Sequence, residues 1–255
     1  MSDAGRGHAS PLELTGERTA PGHARENYWF RRHEAAYEWL AQRLQGMGGT
    51  AVDAGSGEGY GAEMLRGRVA ERVVALEFDP AAADHSAAAY PRVSTLRANL
   101  DALPLATGAV DVVVSMQVIE HLWDLGRFIA ECRRALRPGG LIVLATPNRL
   151  TFSPGLGRGE KPINPFHVEE FDASQVRGML QAAGFGEIEL WGLHHGPNIS
   201  DDLVARQVEA ALSEDWPHHL VAEVGAVTTD DFELRTRGIE DSLDLIGIGR
   251  SPHSA

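Results

Sequence analysis

The sequence predicts an α/β chain in which a mostly parallel sheet carries helices on both faces, and three observations predict it. Short apolar runs alternate with stretches of helical character: Thr50-Ala-Val-Asp53, Val73-Val-Ala-Leu-Glu77, Val110-Asp-Val-Val-Val-Ser115-Met and Leu141-Ile-Val-Leu-Ala-Thr146. Runs of this kind are buried on both faces, as parallel strands are, and the helical stretches between them supply the cover. The first run ends in an acid and opens into glycine at every second position, Asp53-Ala-Gly55-Ser-Gly57-Glu-Gly59-Tyr-Gly61. The second run also ends in an acid, Glu77, 18 residues beyond Gly59. An acid at that distance from a glycine turn is the ribose-binding position of nucleotide-binding α/β folds.

Residues 1–24 are rich in Gly, Ser, Pro and charge and are expected to be a flexible segment. Residues 25–46 place Phe30, Tyr37, Leu40 and Leu44 at near-helical spacing, an N-terminal helix that covers the domain. Further helices are expected near residues 60–67, 80–89 and 123–136, the last ended by Pro138-Gly-Gly140. Residues 147–171 carry four prolines among glycines, a composition unsuited to a helix or a central strand. Loops at the carboxyl edge of an open sheet rim the ligand crevice, so this one is expected to wall a substrate site. A helix over residues 172–184, ended by Gly184, precedes two strands, residues 186–193 and 243–248, that pair antiparallel. The long connection between them, residues 194–242, holds His194, His195 and a helix-like run over 201–215 with Leu203, Val204, Val208, Ala211 and Leu212 on one side. That run reads either as a surface helix packed on the sheet or as a specificity cap or homodimer contact.

Glycines at a strand-to-helix turn let backbone N–H groups approach a ligand closely. A dinucleotide fingerprint counted from Gly55 fails at Tyr60; counted from Gly57 it fits through Gly59 and Ala62, but starts two residues late. That frame, which would make the chain a nicotinamide-dependent oxidoreductase, also sets the Asp53 carboxylate against an anionic pyrophosphate. A cationic nucleoside suits Asp53 better, and S-adenosylmethionine carries a sulfonium, an ammonium and no phosphate.

Val52-Asp53-x-Gly55-x-Gly57-x-Gly59 resembles the first motif of class I S-adenosylmethionine-dependent methyltransferases, and later segments follow in the family's order. Val73 to Pro80 resembles the second strand and its ribose-binding acid; Ala98-Asn99-Leu100-Asp101-Ala-Leu-Pro104 resembles the adenine segment. Residues 110–121 and 136–148 resemble the fourth and fifth strands with the helix between, so the likeness spans roughly residues 50–195. It implies a Rossmann-like, seven-stranded, mostly parallel sheet with helices on both faces and an antiparallel last strand. It also implies a single methyltransferase domain over 25–250, divided into the N-terminal helix (25–46), a cofactor-binding core (50–146), a substrate loop (147–171) and an insertion or cap (194–242). The cofactor implied is S-adenosylmethionine, held by Asp53, Gly55, Gly57, Gly59, Glu77, Phe78, Asn99, Leu100 and Gln117. Tyr28 and His33 of the N-terminal helix would close over it.

The chain has 255 residues with 43% hydrophobic content, enough for one sizeable core. Its net charge of -13 opposes nucleic acids and anionic membranes, whose binding rests on neutralising phosphates, and favours a small or neutral substrate. Cys132 is the only cysteine, so no internal disulfide or cysteine metal site forms. The longest apolar run, residues 109–119, contains Asp111 and falls far short of a membrane span, and the polar N-terminus lacks a signal-peptide core; a cytoplasmic protein is expected.

Methyl transfer is an in-line displacement, so the enzyme mainly aligns the acceptor and excludes water. A neutral hydroxyl is a poor nucleophile and gains ~10²–10⁴-fold from a positioned base. His167, at the end of the Pro/Gly loop, and His121, beside Glu120 just past the fourth strand, are the candidates. Gln117-Val-Ile-Glu120-His121 resembles the E-x-x-E-H of ubiquinone-biosynthesis O-methyltransferases, which implies Mg²⁺ at Glu120, His121 and a distant histidine such as His167; Gln117 departs from that pattern. Thr146-Pro-Asn-Arg149, Asn164-Pro-Phe-His167-x-Glu-Glu-Phe171, Val227-Thr-Thr-Asp-Asp231-Phe and Ser242-Leu-Asp-Leu resemble bacterial sugar O-methyltransferases of the methylmannose-polysaccharide or mycofactocin-glycan type. The acceptor so implied is a sugar or oligosaccharide hydroxyl; a phenol of secondary metabolism, or a cofactor-binding protein without turnover, are the alternatives.

Overall fold

A strand apolar on both faces needs a helix on each side, and the chain order provides them. The computed structural model describes residues 18–253, so residues 1–17 of the expected flexible segment lie outside the described residues. The first half runs α1 (Asn27–Arg43), β1 (Thr50–Ala54), α2 (Tyr60–Leu65), β2 (Arg72–Glu77), α3 (Pro80–Ala89), β3 (Ser94–Arg97) and β4 (Val110–Met116). It continues through α4 (Leu125–Ala135), β5 (Leu136–Pro147), α5 (Arg149–Phe152), α6 (Ala173–Ala182) and β6 (Gly186–His195). The chain then forms α7 (Asp201–Ser213), α8 (His218–Gly225), β7 (Phe232–Arg235) and β8 (Asp244–Arg250).

The strands lie in the order β3-β2-β1-β4-β5-β8-β6-β7. The β3-to-β5 block is parallel, while β8 runs antiparallel to both β5 and β6. The expected α/β architecture with an antiparallel last strand is therefore present, with eight strands instead of seven. The additional strand, β7, comes from the 194–242 connection and pairs with β6 from Gly192↔Arg235 to His195↔Phe232. Strand order reverses between β1 and β4, and a crevice opens at such a switch point beyond the carboxyl ends of the strands.

Alternate residues of the central strands feed two cores. Ala51, Val112, Val114 and Val143 pack with Leu40 and Leu65 under α1 and α2, whereas Val52, Val113 and Ile142 pack with Phe128 and Leu180 under α4 and α6. Among the described residues no helix is long and apolar enough to cross a membrane.

Four local expectations change. Helix α4 stops at Ala135, before Pro138; Pro138-Gly-Gly140 instead lies within β5, where Gly139 has φ +76° and the ladder to β4 is irregular between Val110 and Val112. The loop over 147–171 does contain a helical turn, α5, because Asn148 caps it by accepting the Leu150 N–H at 3.2 Å and Pro154 falls beyond its end. A second helix, α8, follows α7 in the connection, and Asn27 ties it to α1 by donating to the carbonyls of Val224 (3.0 Å) and Val227 (2.8 Å). Finally, α7 buries Leu203, Gln207 and Ala210, one helical face, and leaves Val208 and Leu212 exposed at 42% and 84%. The apolar side read from the sequence mixed two faces.

Helices α1 and α2 meet at Gly61, where an added Cβ would overlap the Tyr37 ring. Gly61→Ala should lower unfolding free energy by about 1–3 kcal/mol, the usual scale for overpacking. Urea denaturation checks it; an unchanged midpoint would mean that the Tyr37 ring moves freely.

Candidate active site

The turn after β1 forms the floor of a cavity of about 620 Å³ at the switch point. Gly55 has φ +83° and faces Val118 so closely that a Cβ would overlap that side chain. Gly57, at φ +53°, donates its N–H to Glu77 Oε2 at 2.8 Å, and the other Glu77 oxygen accepts the Asp79 N–H at 2.9 Å. Two backbone donors thus aim the Glu77 carboxylate into the cavity, with a lone pair left on each oxygen.

Of the residues expected to hold a cofactor, Gly55, Gly57, Glu77, Phe78, Asn99, Leu100, Gln117 and His33 border this cavity. Three do not. Asp53 lies fully buried beneath the turn, where both its oxygens accept from the Tyr37 hydroxyl, at 3.0 and 3.2 Å. Burial pushes its pKa up to about 7, partly offset by the Tyr37 hydrogen bond, with the Glu77 charge adding to the rise. Gly59 is the left-handed N-cap of α2 and packs on Ser86 and Tyr90. Tyr28 points away from the cavity: its hydroxyl meets His195 Nε2 at 2.7 Å and its ring packs on Phe232. The α1 residues that border this cavity are instead His33 and Tyr37, one turn apart on one helical face.

Sequence reasoning missed several wall residues. Asp101 stands beside Asn99, whose Oδ1 accepts the Asp101 N–H at 3.0 Å. Ser56 borders the cavity, and its Oγ is buried without a hydrogen-bond partner. Arg18 and Thr19 cross the opening: Arg18 pairs with Asp79 at 3.4 Å, and Thr19 Oγ1 lies 3.2 Å from His33 Nδ1 and 3.1 Å from the Tyr60 hydroxyl. Acids predominate, with Glu58, Glu77, Asp101 and Asp124 on the walls and Asp53 below, so the cavity suits a cationic nucleoside and disfavours a pyrophosphate.

A second cavity, about 200 Å³, adjoins the first and shares Arg18, Thr19, His33, Gln117 and His121 with it. Its other walls include Trp29, Arg32 and Glu26 of the N-terminal region, Phe152 of α5, and Glu120, Asn164 and His167. Arg32 is held flat, its guanidinium 4.6 Å from the Phe152 ring centre and 5.4 Å from that of Trp29, while Nε donates to Asp244 Oδ2 at 2.7 Å. Asp244 also accepts from Gln117 Nε2 at 3.0 Å, and Gln117 is one of few non-glycine residues with positive φ, +57°.

Glu120, His121 and His167 converge here, with one ligand atom from each within 4.8 Å of the others. Burial pushes Glu120 up to about 8, partly offset by a backbone hydrogen bond, the His167 charge and the Thr146 hydroxyl, which donates to Oε2 at 3.0 Å. His121 Nδ1 donates to the Phe166 carbonyl at 3.2 Å, and the two imidazole rings meet edge to face with centres 5.0 Å apart. His167 is flanked by Glu170, 2.7 Å from Nδ1, and Asn164, 3.1 Å from Nε2. Two imidazoles and one carboxylate do not make a Mg²⁺ site, which is built from oxygens. The cluster offers proton acceptors and donors at the seam between the two cavities.

Residues 52–144 match a family model described as a methyltransferase domain. The chain is 46% identical over 263 residues to a probable S-adenosylmethionine-dependent methyltransferase of Mycolicibacterium smegmatis, covering 99% of this chain and 100% of that protein. A second probable S-adenosylmethionine-dependent methyltransferase, from Mycobacterium tuberculosis, is 47% identical over 258 residues, covering 96% of this chain and 92% of that protein. Among solved structures, an S-adenosylmethionine-dependent methyltransferase of Thermotoga maritima, described as a possible histamine N-methyltransferase, superposes with a TM-score of 0.61 at 18% identity, covering 88% of this chain and 92% of that one. At that identity the likeness concerns the fold alone.

Because Asp53 titrates higher in the folded than in the unfolded chain, the native state holds an extra proton between about 3.8 and about 7. Its contribution to stability therefore falls as pH rises through that window. Asp53→Asn, neutral throughout, should gain on the wild type as pH rises from 4 to 7; parallel stability curves from denaturant titrations would refute this account of Asp53.

Proposed function

We propose that this chain, which belongs to the S-adenosylmethionine-dependent methyltransferases, methylates a hydroxyl group of a sugar or oligosaccharide. The observation that carries the reading is the second cavity. At about 200 Å³ it is smaller than the usual drug-sized site and takes a single ring. Its walls combine the Trp29 and Phe152 side chains, bridged by the Arg32 guanidinium, with Glu26 and Asn164, a set of apolar and hydrogen-bonding groups that suits a pyranose, and they include two imidazoles.

The cofactor cavity fits S-adenosylmethionine in charge and size. In this reading Glu77 accepts the ribose hydroxyl protons, Asn99 takes the adenine amino group beside Leu100 and Phe78, and the Gly55 and Gly57 backbone lies against the amino-acid portion. Asp53 acts from below through its field, and Gln117 and His33 stand at the seam. The bound cofactor supplies a methyl carbon activated by positive sulfur. The residues of the second cavity orient the hydroxyl in line with that carbon and keep water out. With the cofactor bound, His167 would take the hydroxyl proton as the oxygen displaces the thioether from the methyl carbon, the carbon–sulfur electron pair leaving with S-adenosylhomocysteine, while His121, which borders both cavities, would hydrogen-bond the acceptor at the seam. Glu120, pushed up to about 8 by burial, is mostly protonated at neutral pH and serves as a donor.

One-ring size also admits a phenol, and a transfer assay separates the two. Labelled S-adenosylmethionine is offered to mannosides, glucosides, catechols and simple phenols, with and without added Mg²⁺. Label on a sugar, at a rate indifferent to Mg²⁺, is expected; label on phenols alone would replace the glycan reading. Glu77→Ala should weaken cofactor binding at least tenfold by calorimetry with the fold intact, and unchanged affinity would remove Glu77 from the ribose. His167→Ala should lower kcat by about 10²–10⁴-fold, the range for general-base catalysis, with cofactor affinity near wild type. A wild-type rate would reassign the base.

A further inference from the structure

We propose that Glu170 is a positioning residue for this reaction, fixing His167 in the neutral tautomer whose Nε2 lone pair faces the acceptor cavity. The proposal rests on His167 as the proton acceptor and adds the group that makes it one.

Glu170 is buried, and its Oε1 lies 2.7 Å from His167 Nδ1 while Oε2 makes no hydrogen bond. A carboxylate is costly to bury, and this one directs its side-chain hydrogen bonding at a single imidazole nitrogen. A carboxylate accepts, so Nδ1 carries the proton. The opposite face of the ring leads to the same conclusion independently. Asn164 Oδ1 accepts the Phe166 N–H at 3.0 Å, which orients the amide so that its Nδ2 donor faces His167 Nε2 at 3.1 Å. A donor at Nε2 requires a lone pair there. His167 borders the second cavity with Glu120 and Asn164, so an acceptor hydroxyl reaches this lone pair by taking the place of the Asn164 amide donor.

The backbone holds the arrangement rigid. Val168 N–H donates to the Glu120 carbonyl at 2.7 Å, joining the His167 segment to the exit of β4. Arg149 N–H donates to the Phe171 carbonyl at 2.9 Å, anchoring the other side of Glu170 to α5. Glu170 thus sits between two fixed points, and a base oriented by a buried carboxylate at its far nitrogen is the logic of acid–histidine pairs in hydrolases; there, loss of the correct tautomer costs about 10⁴ in kcat.

Glu170→Gln preserves shape but allows the amide to donate to Nδ1, which moves the ring proton to Nε2. With the acceptor that the labelling panel identifies as fastest, kcat should fall about 100-fold or more, while acceptor KM and cofactor Kd stay within about threefold. Glu170→Asp, which keeps the carboxylate, should recover part of the loss. Independently of any acceptor, long-range ¹H–¹⁵N correlation spectra of the wild-type chain should show His167 protonated on Nδ1 at neutral pH, and Glu170→Gln should shift that population. A near wild-type kcat in Glu170→Gln, parallel losses in kcat and cofactor affinity, or a wild-type His167 protonated on Nε2 would each overturn the proposal. The spectra hold whether or not the acceptor is a sugar, so failure of the glycan reading leaves this test intact.

Discussion

One carboxylate, Asp244, joins three parts of the molecule that the chain keeps far apart. It sits at the start of β8, is almost fully buried, and binds the guanidinium of Arg32 from α1 through both oxygens. It also holds the amide of Gln117, at the exit of β4. The N-terminal helix, the last strand and the switch-point loop are thereby set at fixed distances, and the seam between the two cavities is set with them. A pair buried this deeply adds little net stability over an apolar replacement, yet losing one partner strands the other at a penalty of about 3–5 kcal/mol. Its value lies in geometry: Gln117 keeps an unfavourable positive φ because Asp244 and the β5 carbonyl of Ala145 hold it there.

The second organising feature is an excess of negative charge around the first cavity. Acids on the walls and beneath the turn make it a poor site for phosphates and a good one for a sulfonium. The same preference explains why Asp53 is tolerated without an ion-pair partner. Burial pushes its pKa up to about 7, so near neutrality the turn need not fold around a full negative charge.

The first cavity was largely legible in the sequence because successive strand ends, after β1, β2 and β4, build most of it. Gly55, Gly57 and Glu77 stand at strand ends whose positions follow from the β-α alternation, and their roles need only local backbone geometry. The second cavity was legible in Glu120, its histidines and the 147–171 loop, but not in the way α1 closes it. Trp29 and Phe152 lie on elements 123 positions apart in sequence, and nothing local relates them. Tyr28 was misread because neighbouring helix positions differ by about 100°, which separates an inward from a cavity-facing side chain. Strand β7 escaped notice because four residues with two charges carry no clear apolar signal, and an edge strand needs none. Glu170 stood in plain view three residues from His167, but its significance depends on burial, which spacing does not report.

Five residues, Arg18, Thr19, His33, Gln117 and His121, border both cavities, whereas Trp29, Phe152 and Asn164 border only the second. Substitution at the first group is answerable to two ligands at once, and at the second group to one. A change of shape at Trp29, Phe152 or Asn164 therefore leaves the walls of the first cavity untouched, whereas any change at the seam reshapes both cavities at once.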